Sequence, residues 1–132
     1  MLREHEIEIR VRYQEADAMG FLHHATYFVY FEMGRVELNR ASGGDYRQME
    51  AQGLFAVVVK AECRYRRPAR FDDVLRLRTS VTRVTDVKIE YQFDLFRGDE
   101  QLAVGHTTLA IVDRDGRVQK VPEVFGRTEP GA

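Results

Sequence analysis

Asp17 and His24 stand at the two ends of the stretch Asp17-Ala18-Met19-Gly20-Phe21-Leu22-His23-His24, which joins an alternating segment to a long apolar one. The loop runs from Gln14 to His24, and a helix should begin just past it. A helix start presents unpaired backbone N–H groups and a partial positive charge. A carboxylate beside such donors is equipped to attack an activated carbonyl, with the amides holding the oxygen as it gains charge. Gly20 permits a backbone geometry that other residues would strain. Taken alone, Asp17 equally suits a plainer role, accepting bonds from loop amides or steadying the helix start. His24 suits either a structural place in the loop or a place beside a substrate.

Other residues nearby are open to two readings. Tyr27 and Tyr30 read as core or pocket wall before acid–base groups. Glu32 falls two turns past His24 on an apolar helix, where a charge needs a partner. It is a site residue or one half of a helix-edge salt bridge. Asp17, His23, His24, Glu32 and His106 lack the spacing of a metal-ligand set, so no metal is expected. Arg64, Arg66, Arg67 and Arg70 form the one dense basic patch. Such forks hold phosphates well, or they line a solvated strand edge paired with Asp72 and Asp73. Cys63 alternates inward with no neighbouring base, which argues against a thiol nucleophile.

These residues need elements to position them. Ile7, Ile9, Val11 and Tyr13 alternate with Glu6, Glu8, Arg10 and Arg12, the pattern of a half-buried strand. The helix is expected near residues 25–41, with Tyr27, Tyr30, Phe31, Gly34 and Leu38 as its buried stripe. Phe28, Val29, Met33 and Val36 extend apolar surface around its remainder, so a sheet should wrap it. Ser42-Gly43-Gly44 stops it, and Asp45 caps a second short helix reaching Ala51.

From residue 55 the period becomes two. Phe55, Val57, Val59, Ala61, Cys63 and Tyr65 share a face. After a turn region at residues 68–73, Leu75, Leu77 and Val81 do the same, then Val87, Ile89, Tyr91, Phe93 and Leu95. Gly98-Asp99 marks a hairpin, and residues 101–112 form a last long strand placed centrally. Consecutive strands joined by short turns are antiparallel. One helix against one curved antiparallel sheet is an α+β fold.

A chain of 132 residues is one domain, 1–132. Its 31% charged and 44% hydrophobic content suits a globular rather than a disordered chain. A net charge of −1 gives no general attraction to nucleic acid or membrane, and no apolar run approaches the ~20 residues of a membrane span. The charged N-terminus is unlike a signal peptide. One cysteine excludes an internal disulfide and fits a reducing cytoplasm. So small a chain has little room for both a core and a deep pocket, which favours a site between subunits.

The pattern Tyr13-x-x-x-Asp17-x-x-Gly20-x-x-x-His24-Ala25-x-Tyr27-x-x-x-Phe31-Glu32 resembles the 4-hydroxybenzoyl-CoA thioesterase family of hotdog-fold proteins. It is most like the small acyl-CoA thioesterases associated with the bacterial Tol–Pal system. Tyr65-Arg66-Arg67-Pro68-Ala69-Arg70-Phe71-Asp72-Asp73 is a second, less specific match. The resemblance implies a hotdog fold, one long central helix wrapped by a curved antiparallel sheet, and an enzyme that hydrolyses an acyl-CoA thioester without cofactor. It gives Asp17 the role of nucleophile or general base and the amides near His24 and Ala25 the role of oxyanion donors. Gly20, Tyr27, Glu32, Arg66 and Arg70 then form the substrate-binding set. It also implies a homo-oligomer, a dimer of hotdog dimers. Two alternatives stay open: a hotdog dehydratase acting on acyl thioesters, and a non-catalytic acyl-CoA binding module.

Overall fold

In the computed structural model, which describes residues 1–128, the first alternating segment forms strand β1 (Glu4–Arg10), with Ile9 buried and its three glutamates outside. The last four residues of the expected domain lie outside the described residues. Val11 keeps phase with the core, but Tyr13 does not. A 3-10 turn (Tyr13–Glu15) interrupts the alternation there and leaves Tyr13 81% exposed.

Helix α1 (Thr26–Ala41) buries Tyr27, Tyr30, Phe31, Gly34 and Leu38, the stripe expected from its spacing, together with Arg35 and Asn39. Its neighbours in space are β1 and two strands of the second half of the chain, β3 (Val74–Val84) and β4 (Ile89–Arg97). The sheet covers one side of the helix only: Val29 is 53% and Met33 41% exposed. Gly43 ends the helix at φ +85°, and Asp45 Oδ1 accepts from the Gln48 amide at 3.2 Å to start α2 (Tyr46–Ala51).

Strands β2 (Phe55–Tyr65), β5 (Glu100–Val112) and the short β6 (Val118–Gln119) complete the sheet. All pairs are antiparallel, in the order β1-β3-β4-β5-β2, with β6 beside β5. This is the α+β hotdog arrangement, a long helix lying in the curve of one sheet. Strand β5 is interior, as its apolar faces suggested. Two further readings of inward faces fail. Val87 lies in the turn before β4 and is exposed rather than inward. In β2, a bulge between Val58 and Lys60 reverses the phase. Ala56 and Val58 pair with the buried Ile111 and Leu109, and Ala61 and Cys63 face inward beyond the bulge, so Val57 and Val59 point out. The run Val57-Val58-Val59 is apolar throughout, and alternation cannot be read from it.

The segment between β2 and β3 is also not a hairpin, because those strands are not neighbours. It is a crossover passing along one end of the sheet. The Arg66 and Arg67 amides bond the Leu102 carbonyl of β5, and farther on the Asp72 amide bonds the Val11 carbonyl beyond β1. Among the described residues no helix is long and apolar enough to cross a membrane.

Candidate active site

The acid loop lies on that crossover. Ala16 bridges Leu22 and Phe21 bridges Arg70; the Leu22 amide donates to the Ala69 carbonyl at 2.8 Å and the Phe71 amide to the Gly20 carbonyl at 3.1 Å. Within the loop, the Asp17 amide donates to the Phe21 carbonyl at 2.7 Å, and Gly20 turns the chain at φ +78°. That φ is the geometry for which Gly20 was singled out. Asp17 Oδ1 accepts from the Met19 and Phe21 amides at 2.8 and 3.1 Å. The side chain is exposed, and no bond to Oδ2 occurs among the described residues. Asp17 therefore both orders its loop and leaves an oxygen available.

Helix α1 begins without a side-chain cap, because Ala25 at the cap position has none to offer. His23 supplies acceptors in its place. Its Nδ1 accepts from the Ala25 amide at 3.2 Å and its carbonyl from the Thr26 amide at 2.9 Å. The Ala25 amide, expected as an oxyanion donor, is thus already engaged. The His24 amide has no acceptor among the described residues and remains free. The two imidazoles stack with centroids 4.3 Å apart.

Tyr65 Oη donates to the His24 carbonyl at 2.8 Å and fixes the peptide at the helix entrance. Burial, with Cys63 close by, pushes the Tyr65 hydroxyl up to about 12, so it stays a donor at neutral pH. The Tyr27 ring meets Tyr65 edge-on at 4.9 Å, and its hydroxyl accepts from the Ala69 amide at 3.3 Å. Tyr27 accordingly shapes the wall. Burial also pushes the Cys63 thiol up to about 11, which makes it a poor nucleophile.

Asp17, His24, Tyr27, Tyr65, Arg66 and Pro68 line one open cleft of about 300 Å³. Of the residues expected in the site, Arg70 lies beside this cleft, with its guanidinium 4.7 Å from the centroid of the Phe21 ring. Glu32 is exposed and lines a separate cavity with Phe28 and Arg35, so the single chain does not bring it to Asp17. The arginines do not pair with Asp72 or Asp73 through their side chains, since those acids bind Arg10 and Arg97 instead. Arg67 pairs with Glu100 at 3.2 Å, Arg66 bonds Gln101 at 3.3 Å, and the Arg64 guanidinium has no partner among the described residues. Arg66 also lines a groove of about 300 Å³ on the outer face of β2 with Arg64 and His106.

Glu15 escaped the spacing argument. It is 8% exposed and accepts from the Tyr30 hydroxyl at 2.7 Å, the Arg12 amide at 2.8 Å and the Arg12 guanidinium at 3.1 Å. Its carbonyl accepts from the His23 amide at 2.9 Å. One residue thereby ties the start of the loop, the helix and the residue before His24. The only local signal was an acid two positions before Asp17.

The model of the thioesterase-like superfamily matches residues 11–128, from the end of β1 to the last described residue. The chain belongs to that superfamily. It is 32% identical to the Haemophilus influenzae acyl-CoA thioesterase YbgC over 106 residues, 80% of this chain and 78% of that one. Among solved structures it is similar to an Aquifex aeolicus protein, at 30% identity, TM-score 0.87, and 92% and 95% coverage of the two chains. It is also similar to the DHNA-CoA thioesterase of Staphylococcus aureus, at 25% identity, TM-score 0.86, and 89% and 80% coverage. This superfamily member carries its acid loop and helix entrance inside the matched region.

Proposed function

We propose that this protein hydrolyses acyl-CoA thioesters to free acid and CoA, with Asp17 as nucleophile or general base. The observation that carries the reading is a carboxylate at the same cleft as an unengaged amide at a helix entrance, that of His24. A thioester carbonyl has weak resonance and a good leaving group. With its oxygen on the His24 amide, the helix dipole and that N–H steady the charge that develops as the carbonyl carbon becomes tetrahedral. As a base, Asp17 takes the proton of an attacking water; as a nucleophile, it forms an anhydride that water then opens. In both cases the tetrahedral species collapses by expelling the thiolate. The names of the relatives support the substrate class.

Arg66 stands where the cleft meets the groove of the outer sheet face, and with Arg64 it suits the phosphates of the CoA nucleotide. Arg70 serves the same substrate less directly, since its guanidinium already stacks on Phe21. The working unit is a homodimer joined along β2, assembling further to a tetramer in the cytoplasm. Strand β2 is a free sheet edge carrying the exposed Val58 and Val59, and Val29 and Met33 of the helix are exposed as well.

Free-thiol release from short-chain, long-chain and aromatic acyl-CoAs tests the activity. Stoichiometric release of CoA with acid is expected from at least one class. A change in the acyl group without thiol release would mean a dehydratase, and binding with neither product would mean a binding module.

A further inference from the structure

Arg35 lies in the middle of α1 and is 9% exposed, yet it forms no ion pair among the described residues. Its one side-chain hydrogen bond among them is from Nη1 to the Tyr46 hydroxyl at 2.9 Å. A guanidinium carries five donors, and burying its charge without an anion is costly. Its other N–H groups are not sealed in the protein, unlike the unpartnered Nε of Arg78, whose burial is complete. Arg35 lines a cavity of about 200 Å³ between the helix and β2, walled by Phe28, Phe31, Phe93, Val58 and Ala61. The floor is Thr107, 8% exposed, whose buried hydroxyl has no hydrogen-bond partner. Buried polar groups in native proteins are normally satisfied, and a buried guanidinium with one hydrogen bond beside a cavity calls for an occupant.

The geometry points to a binding site for a small carboxylate with an apolar body. The guanidinium fork matches a carboxylate in a two-bond pair, and the aromatic and aliphatic walls match a ring or short chain. A phosphate would bring more hydration than these walls can replace. The cavity is below the ~300–1,000 Å³ usual for drug-sized ligands, which limits the body to a single ring or about eight carbons. Glu32 stands on the same cavity, exposed and unpaired with Arg35, and opposes an anion there. This site is distinct from the Asp17 cleft and does not depend on thioester hydrolysis, although an acid released by that reaction has the chemistry it selects.

Benzoate and octanoate titrated into the full-length protein by calorimetry test it, with benzamide as the neutral control. Saturable binding of the carboxylates is expected, with benzamide at least tenfold weaker. Arg35→Met should weaken carboxylate binding at least tenfold, Glu32→Gln should tighten it several-fold, and Asp17→Asn should leave it unchanged. Glu32 is exposed, so its variant reads out the site even if Arg35→Met fails to fold, and Arg35→Lys, which keeps the charge without the fork, should bind with intermediate affinity. Equal binding of benzamide, no binding by the wild type, or unchanged affinity in Glu32→Gln would overturn the assignment. So would an Arg35→Met protein that loses self-association while the wild type binds no carboxylate, since the missing anion would then come from a second copy of the chain.

Discussion

Burial alone would push the Glu15 carboxyl up, yet the Arg12 amide, the Arg12 guanidinium and the Tyr30 hydroxyl together hold it below its ordinary value of 4.5. Tyr30 is pushed the other way, by burial and by the Glu15 charge, and stays a proton donor to it. A carboxyl with a depressed folded-state pKa stabilises the fold above its unfolded pKa, and that contribution is lost as pH falls through the folded value. Glu15→Gln keeps an acceptor for both partners but cannot titrate. Its melting temperature should therefore be lower than wild type at neutral pH and should fall less steeply between about pH 5 and pH 3. Parallel melting curves across that range would show that the charge of Glu15 contributes nothing. At this scale the loop that Asp17 orders was legible, because the spacing of Asp17 to Gly20 and His24 is distinctive. Glu15 was not, because its importance lies in three partners spread over residues 12–30, and no local pattern announces a network of that kind.

Among the elements, helix position depends on what the sheet leaves open. A side chain at Gly105 would overlap the Phe31 ring, which stacks at 4.7 Å on Phe93 of β4, directly across from Gly105. At Gly34 a Cβ would come within 2.8 Å of Leu77 Cδ2. Both glycines let backbone and side chain approach where a larger residue would hold them apart. Gly105→Ala should cost about 1–3 kcal/mol by overpacking, read as a melting temperature several degrees lower. An unchanged melting temperature would mean that the Phe31 ring shifts without strain. The boundaries of α1 and the faces of β3 as far as Val81 were legible because each keeps one period there, before a bulge between Val81 and Arg83. The phase reversal in β2 was hidden by three successive valines, and the crossover by the fact that strand neighbours are chosen by the whole sheet. A glycine inside the apolar β5 was a readable sign of close approach, and the alternation argument passed over it.

For the whole molecule, the apolar girth of α1 predicts a helix wrapped on most sides, and one sheet covers only one of them. The uncovered Val29, Met33, Val58 and Val59 are the surface assigned to a second copy. A charge on that edge should oppose pairing, so Val58→Lys should shift the protein toward monomer in light scattering while its secondary structure stays intact. A wild-type monomer with full turnover would remove the dimer from the account. Whatever its assembly, the proposed chemistry rests on one carboxylate at one helix entrance. The most direct measurement is CoA release by wild type and Asp17→Asn side by side on the best acyl-CoA, with melting temperatures recorded for both. Loss of the nucleophile or base should lower turnover by about a hundredfold or more with the fold retained. Near wild-type turnover in Asp17→Asn would contradict it.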